Sequence, residues 1–206
     1  MIVTKKFTKY IKETLKKGKV GIIPTDTLYG IVGSALMPET VERIYAVRKR
    51  DSKKPMIVLL PSIASLTRFN IKLNSESRRL ISRFWPGKIS IVLPQSEKKF
   101  AYLHRGTQAI AFRVPDNQKL LKVLKKTGPL VAPSANTQGN KPAATVKEAF
   151  DYFDGAVDFY VDSGRLYGKP STLIQLSNHS VLVLREGSIK AATVKKIATF
   201  DRKKKS

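Results

Sequence analysis

The sequence predicts an α/β fold of the mixed α+β kind: one many-stranded sheet with helices on its faces. Three observations predict it. Short apolar runs of strand length alternate with stretches of helical spacing along the chain, the pattern left by helices laid on a sheet. Hydrophobic residues make up 42% of the 206, enough to fill a core of that size. No internal repeat and no long linker interrupts the pattern, so one domain over 1–201 is expected, followed by a basic tail over 202–206.

The elements follow in order. Phe7, Ile11 and Leu15 recur every fourth residue before Gly18, which predicts an amphipathic helix closed by a glycine, its apolar stripe in the core. Residues 20–23 form a buried strand ended by Pro24. Val41, Ile44, Tyr45 and Val47 fit a helix that opens at Pro38, a favoured first-turn residue. Residues 56–60 read as a buried strand, and 66–69 and 80–85 end two helical segments, the second stopped by Trp85-Pro-Gly87. Trp85 is expected to plug that helix end. Further strands are expected at 89–93, 109–114 and 130–132, with a helix around 120–126. Thr145-x-x-Glu148 is a capping box opening a helix to Phe153. Strands at 157–161, 172–176 and 181–184 complete the chain.

Composition excludes several chemistries. With 39 Lys+Arg against 15 Asp+Glu the formal charge is +24, an excess suited to phosphate, in nucleic acid or in a nucleotide. The absence of cysteine excludes disulfides, thiolate metal sites and cysteine nucleophiles. Two histidines, His104 and His179, match no motif and are expected in loops. No apolar run approaches the roughly 18 residues of a membrane span. The first residues lack a signal-peptide stretch, so a cytoplasmic, soluble monomer with no membrane contact is expected. The phosphate-loop, dinucleotide, nucleophile-elbow and zinc-protease motifs are absent.

Three clusters carry the candidate chemistry. Pro24-Thr-Asp-Thr-Leu-Tyr-Gly30 follows a buried strand, where open α/β sheets keep ligands, though taken alone a polar turn whose hydroxyls bond their own backbone is the commoner explanation. Arg48, Arg50 and Lys54 form a basic segment between a helix and a strand. Residues two apart diverge by about 200° on a helix. If Arg48 and Arg50 grip one triphosphate with their guanidinium forks, the helix must therefore end near Val47; a solvated basic turn is the alternative. A strand delivers Ser134 and Asn136, again two apart, into a Gly- and Pro-rich loop, where a hydroxyl and an amide can hold a polar ligand edge. Arg113 follows an apolar strand; burying it without an acidic partner is costly, so a ligand carboxylate is expected to supply the charge. Arg185 adjoins Glu186, and a plain surface pair explains it as well as a site does.

Taken together and in order, these segments closely resemble the YrdC/TsaC family of L-threonylcarbamoyladenylate synthases, over about residues 17–189. The landmarks are Pro24-Thr-Asp-Thr-Leu-Tyr-Gly30, Ile44-Tyr-Ala-Val-Arg48-x-Arg50 with Lys54-Pro55, Phe84-Trp-Pro-Gly87, Phe112-Arg-Val-Pro115, Ala132-Pro-Ser-Ala-Asn136, Pro170-Ser-Thr172 and Leu184-Arg-Glu-Gly187. The resemblance implies an open twisted sheet around a basic cavity. It implies a nucleotidyltransferase that joins L-threonine, bicarbonate and ATP, with Mg²⁺ carried by the nucleotide and no protein metal site. Downstream proteins would then move the threonylcarbamoyl group onto tRNA. By the same resemblance, Arg48 and Arg50 are catalytic; Arg50, Lys54, Asn136, Thr145 and Arg185 bind ATP; Thr27, Tyr29, Arg113, Ser134 and Ser171 hold threonine. Thr145 is fully explained by its capping box alone.

The sequence departs from the family at several points. Arg48 stands at a usual Lys, Leu59 at a His that helps hold threonine, and Glu186 and Asp51 at frequent prolines. No counterpart of the long form's second domain is read here. The rival reading is an RNA-binding, YrdC/YciO-like module without synthase activity. Most of the positive charge lies outside the clusters, with Lys5, Lys6, Lys9, Lys12, Lys16, Lys17 and Lys19 on or beside one helix, a surface suited to tRNA or double-stranded RNA.

Overall fold

Short-range signals place most elements. The protein is described here from a computed structural model covering residues 2–177 and 180–199. Thr8 caps α1 (Lys9–Lys16), its Oγ1 accepting the Ile11 N–H at 3.3 Å, and Gly18 at φ +75° lets the chain leave the helix in the left-handed region. Phe7 precedes the cap instead of lying in the helix, but it still packs beside the core that buries Ile11 and Leu15. Pro38 opens α2 (Pro38–Val47), which ends where the Arg48/Arg50 spacing requires. Thr145 Oγ1 accepts the Glu148 N–H at 3.1 Å to start α6 (Val146–Phe153), while the Glu148 carboxylate returns to the Ala144 N–H.

The other helices are α3 (Ser75–Ile81), α4 (Ala101–His104), α5 (Gln118–Thr127) and α7 (Ala191–Thr199). The strands are β1 (Ile2–Thr4), β2 (Gly21–Pro24), β3 (Tyr29–Ser34), β4 (Val58–Leu59), β5 (Ile89–Pro94), β6 (Ala109–Arg113), β7 (Leu130–Val131), β8 (Phe159–Val161), β9 (Thr172–Ser177) and β10 (Ser180–Arg185). They form one mixed sheet in the order β1-β8-β2-β3-β7-β4-β6-β5-β9-β10. The α/β class holds. β2 is buried at every position, which is why it reads as an unbroken apolar run and not as an alternating one; β3 is buried throughout as well.

Several expectations change. The segment after Pro24 is a loop only from Thr25 to Leu28; Tyr29 and Gly30 already pair with β2 in an antiparallel hairpin. The 56–60 run contributes only Val58–Leu59 to the ladder. The segment toward Trp85 leaves helix at Ile81, and the N–H groups of Phe84 and Trp85 both turn back to the Ile81 carbonyl. Trp85 is buried, with its indole N–H on the Ile89 carbonyl at 2.7 Å, the plug anticipated. His104 ends α4 and is buried, not in a loop; its Nδ1 accepts the Gly106 N–H. β1, β3 and α7 were not expected. His179 and the 202–206 tail lie outside the described residues.

Candidate active site

Ends of β6 and β10, the β2–β3 turn, the end of α2 and the approaches to β9 converge on a cavity of about 380 Å³, within the range of small-molecule sites. A larger concavity of about 700 Å³ between α3 and β5 has only Lys72 and Glu76 as its charged lining, against four arginines in the smaller one, so chemistry favours the smaller one.

One wall is a chain of hydrogen bonds centred on Asn136. Ser134 Oγ donates to Asn136 Oδ1 at 2.6 Å, and Arg48 donates Nη2 to the same oxygen and Nε to the Asn136 carbonyl. The Asn136 amide nitrogen donates to the carbonyls of Thr137 and Asn140. Ser134 reaches this position through an isolated bridge to Gly30, beyond the end of β7, so a local turn and not strand alternation brings the pair together. Asn136 itself does not line the cavity; it orients Arg48, which does. Arg48 is 2% exposed, and its Nη1 is buried without a partner. Burial first, then the nearby Arg50 charge, pull its pKa down to about 10. A buried cationic donor without a partner is costly until one meets it.

Arg50 lines the same cavity. Its Nε and Nη2 donate to the carbonyls of Lys54 and Pro55, folding the 50–55 loop around its own guanidinium. Tyr45 adds its hydroxyl to the Lys54 carbonyl at 2.9 Å, and Arg105 lies 3.9 Å over the Tyr45 ring. Arg105 carries no local sequence signal. Arg185 lines the opposite side and donates to the Ser171 carbonyl at 2.9 Å. Burial and the Arg50 charge both lower its pKa. Glu186 instead accepts the Ala191 N–H, so the surface pair with Arg185 does not form. Among the described residues, none of Arg48, Arg50 and Arg185 makes an ion pair with a carboxylate, whereas Arg105 pairs with Glu42 at 2.6 Å.

Arg113 corrects an expectation. The carboxylate it lacks in the sequence reading comes from the protein: Asp26 Oδ1 meets Arg113 Nη1 at 2.6 Å in a pair almost wholly buried, and Asp26 Oδ2 accepts the Asp116 N–H. Arg113 Nε is still buried without a partner, and the side chain lines the cavity. Thr25 behaves as the turn reading predicts, its Oγ1 accepting the N–H groups of Thr27 and Leu28. Thr27 faces the cavity. Tyr29 walls it with its ring, while its hydroxyl donates to the Gly164 carbonyl and accepts the Ser163 N–H. Ser171 Oγ pairs with Ser90 Oγ at 2.8 Å in the buried wall.

Lys54 is exposed beside Asp51 and Thr145 sits at the start of α6, both away from the cavity lining. Leu59 faces the core at 0% exposure, not the cavity.

The Sua5/YciO/YrdC family model, described as "Telomere recombination", matches residues 13–187. The chain belongs to that family. It is 30% identical to the threonylcarbamoyl-AMP synthase of Pyrococcus abyssi over 89% of its length and 54% of that protein's. It is 31% identical to the threonylcarbamoyl-AMP synthase of Bacillus subtilis, over 85% of this chain and 51% of the relative. The chain thus spans about half the length of these relatives. Among solved structures, P. abyssi Sua5 complexed with L-threonine superposes with a TM-score of 0.86 at 28% identity, covering 95% of this chain and 60% of that one. Escherichia coli YciO superposes at 0.78 and 23% identity, covering 94% and 97%, which shows the shared family fold. No described helix is long and apolar enough to cross a membrane.

Proposed function

We propose that this chain is a cytoplasmic threonylcarbamoyl-AMP synthase, joining L-threonine, bicarbonate and ATP and releasing pyrophosphate, for N6-threonylcarbamoyladenosine in tRNA. The observation that carries it is the convergence of Arg48, Arg50 and Arg185 on one cavity without a carboxylate among them, beside hydroxyls and a buried Arg113. Three uncompensated guanidinium groups fit a triphosphate; Thr27, Ser134 and Ser171 with Arg113 fit a small hydroxy amino acid. Relatives named threonylcarbamoyl-AMP synthase and the threonine complex of Sua5 support the same substrates.

In this reading the threonine amine bonds to the carbon of CO2, the dehydrated form of bicarbonate, and its proton passes to water. A carbamate oxygen then bonds to the α-phosphorus of ATP as the bond to the bridging oxygen breaks and pyrophosphate leaves with the electron pair. The protein positions two anions and neutralises the charge moving onto the leaving group. Arg48, Arg50 and Arg185 supply that charge from the cavity lining, while Lys54, exposed beside Asp51, lies outside it. In this reading Mg²⁺ arrives with the nucleotide. Asn136 positions Arg48, and Tyr29 fixes the pocket wall.

Incubation with radiolabelled bicarbonate, threonine and ATP tests this. A labelled adenylate that requires threonine supports the proposal; ATP and threonine binding without product overturns it in favour of a binding module.

A further inference from the structure

Arg105 closes α4 at φ +50°, a left-handed backbone that a residue with a Cβ seldom adopts. Its side chain is 14% exposed, and its Nε is buried without a partner. Its ion pair accounts for neither. Glu42 on α2 receives Nη2 at 2.6 Å, but that carboxylate stands largely in solvent, where such a pair stabilises little. The contact that uses the burial is the one with Tyr45, whose ring centre lies 3.9 Å from the guanidinium carbon. A cation over a buried aromatic face is attracted to it and keeps the ring from tipping.

Tyr45 is in turn the residue against which Arg50 is set. The Arg50 N–H donates to the Tyr45 carbonyl at 3.0 Å. The Tyr45 hydroxyl donates to the Lys54 carbonyl at 2.9 Å, and the Arg50 Nε donates to the same oxygen at 3.0 Å, so two donors use both of its lone pairs. Burial raises the Tyr45 pKa, which keeps the hydroxyl protonated and donating. Residues 51–54 are all exposed and include no apolar side chain to anchor them. The loop keeps its shape through hydrogen bonds: Gln138 accepts the Asp51 N–H on one side, and Tyr45 holds Lys54 on the other.

We infer that Arg105 is a positioning residue for the triphosphate end of the cavity. It holds the Tyr45 ring, the ring holds the Lys54 carbonyl, and that carbonyl fixes the Arg50 guanidinium that lines the cavity. Arg105 itself lies outside the lining. Without it the Tyr45 ring loses the cation on its face, the hydroxyl shifts, and Arg50 keeps its charge but loses its aim. A misplacement of about 1 Å costs up to about 10²-fold where charge must be met in a fixed geometry. The inference rests on the synthase reading, because it needs a triphosphate for Arg50 to meet. The rival role is a plain clamp between α2 and α4, which pack together. That role does not pass through Arg50, so the two separate by experiment.

Calorimetric titration with Mg-ATP, and separately with L-threonine, tests it on wild type, R105M, R50M and the double variant. R105M is expected to weaken ATP binding about tenfold when Arg50 is present, and by less than about twofold in the R50M background, where nothing is left to aim. L-threonine binding is expected to stay within about twofold, as for an independent site. R105G accepts the left-handed backbone without strain and is expected to repeat the loss of ATP affinity, which keeps the test open if R105M folds poorly. Y45F, which lacks the hydroxyl, is expected to match R105M. Equal losses in both backgrounds, or matching losses for ATP and L-threonine, would assign the plain clamp and overturn the inference. ATP binding by wild type that R105M leaves unchanged overturns the inference alone, whereas a wild type that binds no ATP overturns the synthase reading together with it.

Discussion

Replacing Arg48 by Met keeps a side chain of similar length in a wall where Arg48 is 2% exposed, and removes one charge with its donors. The pKa, pulled down from the ordinary guanidinium range to about 10, means that holding this charge costs about 3 kcal/mol in the absence of an anion. A phosphate oxygen about 4 Å away at an effective dielectric of 20 returns about 4 kcal/mol, so a bound triphosphate more than offsets that cost. Nη1 is the open donor, while Nε and Nη2 are fixed on Asn136, so the group is oriented before substrate arrives. Loss of one such oriented group lowers kcat by about 10²–10³, or roughly 3–4 kcal/mol. Threonine-dependent pyrophosphate release measures it. Arg48→Lys is expected to fall well below wild type too, because an ammonium keeps the charge but not the fork on Asn136. If folded Arg48→Met turned over within about threefold of wild type, the anion role of this wall would be refuted.

Thr145→Ala is expected to remove about 1 kcal/mol of helix cap, lowering Tm by about 2–4 °C, with turnover at saturating ATP unchanged; an increased KM for ATP at unchanged Tm would return Thr145 to the nucleotide site. Asp26→Asn leaves the Arg113 charge buried and unpaired, costing about 3–5 kcal/mol and about 10 °C in Tm. If Arg113 also takes the threonine carboxylate, high L-threonine should restore part of that loss in the variant, and thermal scans with and without it decide. Gly168→Ala places a Cβ against the Thr27 carbonyl oxygen, so the 164–169 segment must shift; the KM for threonine is expected to rise more than the KM for ATP, and equal changes would count against Thr27 at the threonine end.

The tertiary contacts explain which expectations failed. The strand pattern could not separate Tyr29 and Gly30 from the preceding turn, because β3 contains two glycines that weaken a strand signal, and its pairing with β2 is decided by the Thr25 turn. The sequence reading of Arg113 lacked its partner because Asp26 lies 87 residues away and meets it only when the β2–β3 turn lies beside the end of β6. Asn136 reads as a ligand contact by type and spacing, yet all four of its side-chain hydrogen bonds stay within the protein, and its effect on a substrate passes through Arg48. Leu59 reads as a change in the threonine pocket, but it points into the core.

From the sequence alone came whatever nearest-neighbour sterics and periodicity decide: the apolar stripe of α1 ahead of Gly18, the opening of α2 at Pro38, the capped start of α6, the buried runs of β2, β5 and β6, the absent chemistries and the excess of lysine. Only the folded chain decided which charges meet. Arg48 and Asn136, 88 residues apart, form one wall, and Arg113 is neutralised from within, leaving Arg48, Arg50 and Arg185 as the cations that need an outside anion. Coulomb and hydrogen-bond energies depend on separations of a few ångströms, and those are fixed by which strands lie side by side, a property that no local stretch of residues contains.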